Sequence, residues 1–140
     1  MSVYLDANVI IPLFVPDPHN DRTERALRRL NDDLIVSDFS AAEFSSVIAR
    51  RARTRDLRAE EARLAFSNFD GWCARYVRII EIERSDVSIA SNLIRRLDLA
   101  LRTPDALHIA IVQRTGCRLL TFDKLMAKVA HTLGVETIGG

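Results

Sequence analysis

Lysine is nearly missing from this 140-residue chain: of 20 basic residues only Lys124 and Lys128 are lysines, and the others are arginine. Arginine's planar fork suits phosphate and carboxylate, but 19 acidic residues hold the net charge at +1, so bulk charge selects no partner. Cysteine is scarce too. Cys73 and Cys117 lie far apart in sequence, which speaks against a disulfide framework and a zinc site and leaves both as small buried apolar residues. No apolar run approaches membrane-spanning length, and a strand-like run begins almost at the first residue, leaving no room for a secretory leader. These absences lead us to expect a cytoplasmic protein with no membrane contact.

What is present is an ordinary globular balance, 48% hydrophobic and 28% charged, long enough for one domain spanning residues 1–140. Short β-branched runs alternate with helical ones from end to end. Strands are expected at "SVYL" (2–5), "LIV" (34–36), "VRIIEI" (77–82), "RLLT" (118–121) and "VETI" (135–138). Helices are expected near 8–15, 22–31, 40–54, 59–75, 86–99, 104–115 and 124–133. Val87, Ala90, Leu93, Ile94 and Leu97 form one apolar stripe in the fifth of these. Gly116 and Gly134 each end a helical run where a left-handed residue is wanted. Thr103-Pro104 reads as an N-cap followed by a first-turn proline. "FVPDPHN" (14–20) is the clearest loop and a possible border of a site. The alternation implies an α/β fold with a parallel sheet covered on both faces, whose ligands sit beyond the strands' carboxyl ends.

Four acids fall at such places. Asp6 closes the first strand, Glu43 sits in "SDFSAAEF" after the second, Asp105 opens a helix in "RTPDALHIA", and Asp123 follows the fourth strand in "LLTFDKL". Each has an innocent explanation. Asp6 and Asp123 suit N-caps, Ser40 to Glu43 fits a capping box, and Asp105 suits a helix dipole. If the first and fourth strands are neighbours, however, the caps share one edge. Two carboxylates about 5 Å apart repel by roughly 3 kcal/mol at an effective dielectric near 20, which a cation would relieve. Oxygen donors without His- or Cys-rich spacing favour Mg²⁺ or Mn²⁺ over zinc. His108, three residues after Asp105, can approach the cluster but reads as a packed, hydrogen-bonded core histidine outside the ligand set.

"YLDANVII", "SAAEF", "TPDALHIA" and "LLTFDKLMAKVA", in this order over nearly the whole chain, resemble the PIN-domain ribonucleases, most of all the VapC-type toxins of toxin–antitoxin pairs. The resemblance implies a three-layer α/β/α sandwich around a five-stranded parallel sheet of order 3-2-1-4-5. It places Asp6, Glu43, Asp105 and Asp123 on the family's acidic quartet, with Asn8 and Thr121 on polar positions beside it. Ala7 departs from the Thr or Ser often found there. The resemblance also implies a homodimer and an antitoxin partner whose C-terminal segment covers the active groove, with DNA reached only through that antitoxin.

The chemistry expected is RNA cleavage by water activated at one or two Mg²⁺ ions, leaving a 5′-phosphate and a 3′-hydroxyl. An acidic pocket needs flanking cations to receive a polyanion. Arg50, Arg51 and Arg53 of "RRARTR" and Arg102 are the candidates, although a helix-end dipole explains the run equally well. Trp72 and Phe69 read as core or dimer contacts more readily than as base-stacking rings. A haloacid-dehalogenase-like phosphatase would need an acid where Asn8 stands. The remaining alternative is an inactive or masked PIN-like module that only binds RNA or protein.

Overall fold

Val3, Tyr4 and Leu5 are completely buried, because the strand carrying them has a neighbour on each side. In the computed structural model, which describes residues 1–139, five parallel strands make one sheet: β1 (Ser2–Leu5), β2 (Asp33–Ser37), β3 (Val77–Ile80), β4 (Arg118–Leu120) and β5 (Thr137–Ile138). Their order is β3-β2-β1-β4-β5, as expected, with β1 beside β4. Gly140 lies outside the described residues. Helices α1 (Ala7–Ile10), α2 (Asn20–Arg28), α3 (Asp38–Arg53), α4 (Ala59–Tyr76), α5 (Arg84–Ile94), α6 (Thr103–Thr115) and α7 (Lys124–Thr132) connect and cover it.

Strand periodicity sorts the core into two layers. Val3, Leu5, Val36 and Leu120 pack with Phe44, Ile48 and Phe69 from α3 and α4. Tyr4, Ile35 and Leu119 face the other way, against Leu93, Ile109, Val112 and Met126 from α5, α6 and α7. Because side chains alternate along a strand, Asp6, Ser37 and Thr121 inherit the second direction, two residues beyond Tyr4, Ile35 and Leu119. Phe69 and Trp72 both belong to the first layer, where Phe44 stacks on Phe69 at 4.2 Å and Phe14 meets Trp72 edge-on.

Several boundaries differ from the sequence expectation, each for a local reason. The third strand stops at Ile80 because the Ile82 amide donates to the Asp38 carboxylate at 2.9 Å instead of extending the ladder. α3 begins at Asp38, capped by Ser37, whose hydroxyl accepts from the Ser40 amide. Glu43 therefore lies in the second turn, and the Ser40–Glu43 capping box does not form. Arg102, not Thr103, is the N-cap of α6, with Pro104 in its first turn. The apolar stripe is shorter than expected. α5 ends at Ile94, so Leu97 is 94% exposed, and Val87 is 53% exposed because Asp86 takes the buried position in the first turn. Gly116 and Gly134 do adopt left-handed backbone, with φ of 71° and 84°. Both cysteines are buried and unpaired.

Asp86 holds α5 to α6. Its carboxylate takes a two-pronged bond from Arg114, at 2.8 and 2.9 Å, and the Glu83 amide at 2.8 Å. Burial opposes the charge, but the Arg114 fork and the amide outweigh it and keep the Asp86 carboxyl below its ordinary range. This stabilisation is complete above the usual carboxylate pKa and lost as pH falls through the depressed one. Asp86→Asn is expected to lower stability by about 2 kcal/mol, the order of a hydrogen bond to a charged group, and to make the acid limb of stability against pH shallower. Denaturant melts across pH check both.

Candidate metal centre

The site starts from strand pairing. Leu5 is in register with Leu120, and the Asp6 amide donates to the Leu120 carbonyl at 3.1 Å. The residues that follow on each strand, Asp6 and Thr121, thus emerge side by side. The Thr121 hydroxyl donates to Asp6 Oδ2 at 2.7 Å and accepts from the Asp123 amide at 3.0 Å and the Asn8 side-chain amide at 3.3 Å. Asn8 Oδ1 accepts from the Phe122 amide at 3.2 Å. Asp6 is the N-cap residue of α1 but makes no side-chain cap bond, so its carboxylate is left to the site.

Glu43 reaches the same place from α3. Its Oε1 lies 2.5 Å from His108 Nε2, and Asp6 Oδ1 lies 3.7 Å from that nitrogen. Ligand atoms of Asp6, Glu43 and His108 all fall within 4.8 Å of one another. On its far side His108 Nδ1 is 2.6 Å from the Tyr4 hydroxyl, which also contacts Ser37 Oγ at 2.8 Å and Ser40 Oγ at 3.1 Å. His108 is a buried, hydrogen-bonded core residue, as read from the sequence, but it is also joined directly to the acids. A signal for this was available: it is the one polar residue in the buried run Ala106–Val112 of α6, and a buried imidazole must find polar partners.

Asp105 and Asp123 stand at the N-termini of α6 and α7 with one oxygen engaged in a cap. Asp105 Oδ2 accepts from the Arg102 amide at 3.2 Å and lies 3.6 Å from its guanidinium. Asp123 Oδ1 accepts from the Leu125 and Met126 amides. Among the described residues Asp105 Oδ1 and Asp123 Oδ2 make no bond, and neither acid joins Asp6, Glu43 and His108 in the group whose ligand atoms lie within 4.8 Å of one another. Among the arginines, Arg51 is tied to Asp17 of the "FVPDPHN" loop at 3.1 Å, whereas Arg50 and Arg53 are exposed at the end of α3. The other end of that loop places His19 against Phe122, and Arg22 lies over the same ring at 4.1 Å.

Burial pushes the Asp6 carboxyl above its ordinary range; His108 and the Thr121 hydroxyl act against this, and Glu43 adds to it. Two acids whose ligand atoms stand within 4.8 Å repel by about 3 kcal/mol at an effective dielectric near 20. Oxygen donors, one of them a buried carboxylate with no cationic Lys or Arg partner among the described residues, fit a hard divalent cation such as Mg²⁺ or Mn²⁺. No helix among the described residues is long and apolar enough to cross a membrane.

Comparison with known proteins agrees with this architecture. The family model described as PIN domain matches residues 3–132. Ribonuclease VapC46 of Mycobacterium tuberculosis is 31% identical over 98% of this chain and 96% of its own length. Two solved structures share the fold. VapC20 of Mycobacterium tuberculosis, described as a sarcin–ricin loop cleaving toxin, has a TM-score of 0.74 at 16% identity, covering 91% of this chain and 94% of its own. VapBC2 of Rickettsia felis, bound to a fragment of promoter DNA, has a TM-score of 0.73 at 16% identity, covering 99% and 98%.

A carboxyl whose pKa is raised by folding favours the fold below the ordinary carboxylate pKa, and that advantage is lost as pH rises through the raised value. At neutral pH and without divalent ions, Asp6→Asn is therefore expected to melt at a higher temperature than the unmodified protein. Added Mg²⁺ or Mn²⁺ should raise the melting temperature of the unmodified protein and leave that of the variant in place. Equal melting points with equal ion responses would remove Asp6 from the centre.

Proposed function

The chain belongs to the PIN-domain family, with VapC-type ribonucleases as its relatives, and on that premise we propose that it is a metal-dependent endoribonuclease, the toxin of a toxin–antitoxin pair. The observation that carries this reading is the meeting of Asp6 and Glu43 beyond the carboxyl ends of β1 and β2 in a chain that matches the family almost throughout. Asp6 and Glu43 would hold Mg²⁺ or Mn²⁺, with Asp105 and Asp123 completing the set through the oxygens their caps leave unused. A divalent ion bound there supplies Lewis acidity toward the scissile phosphate and toward water. Thr121 keeps Asp6 turned to the centre, and Asn8 holds Thr121 in place. The N-termini of α6 and α7 favour the ionised acids at this edge.

RNA needs cations beyond the acids. Arg50 and Arg53 stand seven and ten residues after Glu43 on α3, about 10 to 15 Å along the helix axis, within reach of neighbouring phosphates of the same strand. Arg102, paired with Asp105, is a further candidate, whereas Arg51 secures the loop through Asp17. We read residues 1–140 as a single domain that acts as a homodimer in the cytoplasm. Its partner would be an antitoxin of the kind seen in VapBC assemblies, which covers the acidic edge and carries any contact with DNA.

Purified protein freed of antitoxin is expected to cleave total RNA with Mg²⁺ and to be silent with EDTA, leaving 5′-phosphate and 3′-hydroxyl ends in sequenced products. Asp6→Asn should cut turnover on the order of 10²-fold. Metal-independent cleavage, or ends bearing a 2′,3′-cyclic phosphate, would overturn the mechanism. Neutralising Arg50 and Arg53 should flatten the slope of log affinity for RNA against log salt by about 0.7 per lost phosphate contact. An unchanged slope would assign both to the helix end alone.

A further inference from the structure

Tyr4 and His108 are polar side chains buried to 0% and 2% exposure that the four acids do not require. They form one chain of bonds running from the inside of the sheet to Glu43: Ser37 and Ser40 to the Tyr4 hydroxyl, that hydroxyl to His108 Nδ1, and His108 Nε2 to Glu43 Oε1. Every member has a partner. Ser40 Oγ donates onward to the Leu5 carbonyl at 3.3 Å, and Ser37 Oγ accepts the Ser40 amide at 2.9 Å. Such a fully satisfied network fixes the ring that it surrounds. Phe39 packs on one side of the imidazole at 5.1 Å between centroids, and Tyr4 lies at 5.6 Å.

His108 is close enough to both acids to be taken for a third ligand. The distance to Glu43 argues against it. Adjacent ligands of an octahedral Mg²⁺ or Mn²⁺ stand about 3 Å apart, since bonds near 2.1 Å meet at right angles. At 2.5 Å, Nε2 and the carboxylate oxygen are donor and acceptor of one charge-assisted hydrogen bond. Two lone pairs at that distance would repel, so one proton lies between them; with Glu43 ionised, as a carboxylate that ligates a metal must be, that proton stands on Nε2. A nitrogen that carries a proton toward Glu43 has no lone pair left for a metal.

We propose that His108 is a positioning residue, which holds the Glu43 carboxylate through its Nε2–H while the Tyr4–Ser37–Ser40 cluster fixes the ring from behind, and that it is not a ligand of the metal. What Glu43 is held in place to do, and the ionised state that leaves the proton on Nε2, rest on the nuclease reading; the contact between the two side chains does not. Ligating groups are commonly oriented by such outer partners, whose loss typically costs 10- to 100-fold in affinity or activity.

Two measurements use the unmodified protein and so need no variant to fold. In metal-free protein, nitrogen-15 NMR of the imidazole should show a protonated Nε2. With Mn²⁺ bound, pulsed electron paramagnetic resonance should show no coupling from a directly bound imidazole nitrogen. An unprotonated Nε2, or such a coupling, overturns the proposal. Among variants, His108→Gln keeps an N–H donor near the Nε2 position and should retain Mn²⁺ affinity and most of the turnover, whereas His108→Leu should lose roughly 10- to 100-fold in kcat with little change in KM. Equal loss in the two variants, or loss of Mn²⁺ binding by His108→Gln to the extent seen in Asp6→Asn, likewise overturns it. An unmodified protein that leaves RNA intact would sink the nuclease reading while the NMR result still decides where the proton is.

Discussion

The placement of β1 between β2 and β4 is the constraint on which the rest depends. A central parallel strand buries both faces, and here it ends on a carboxylate that stays largely buried and must be accommodated. The register of Leu5 with Leu120 brings Thr121 to Asp6, and the register of Tyr4 with Ile35 carries Ser37 to the same edge. The acid is tolerated because its neighbours are polar in the right places: a hydroxyl on one oxygen and an imidazole facing the other.

The two layers make unequal contributions. The α3–α4 side is an aromatic core, with Phe14, Phe44, Phe69 and Trp72 in edge and stacked contacts. It gives α3 a rigid seat from which Glu43 projects over the sheet edge. The α5–α7 side carries the polar chain through Tyr4 and His108, and it is tied together by the bond of the buried Asp86 to the partly exposed Arg114. Burial keeps the Tyr4 phenol protonated by raising its pKa well above the usual value, against the pull of Ser37 and Ser40. The site is thus supported from behind by hydrogen bonds and from the side by apolar packing.

Much of this was legible in the residues. The five strands lie where the β-branched runs predicted, and Gly116 and Gly134 mark the helix ends as expected, because left-handed backbone is a local demand that few residues meet. The departures come from partners that compete for the same position. Val87 and Leu97 matched a helical stripe, yet Asp86 and not Val87 is buried, since its partner Arg114 comes from 28 residues away. The capping box at Ser40 failed because Ser37, three residues earlier, took the cap. Periodicity records what a segment can do alone and is silent about which competing partner arrives.

The sequence by itself determined the alternation of strands and helices, the direction each strand residue faces, and the place of Asp6, Asp105 and Asp123 at element ends, because these follow from backbone sterics and side-chain period within a few residues. Only the tertiary structure decided which acids meet, that Asp105 and Asp123 each spend one oxygen on a cap, and that His108 binds Glu43 with Tyr4 behind it. Those contacts span 65 and 104 residues of chain. They exist because strand order and helix packing bring distant atoms within hydrogen-bonding range, and no local preference encodes a distance across the fold.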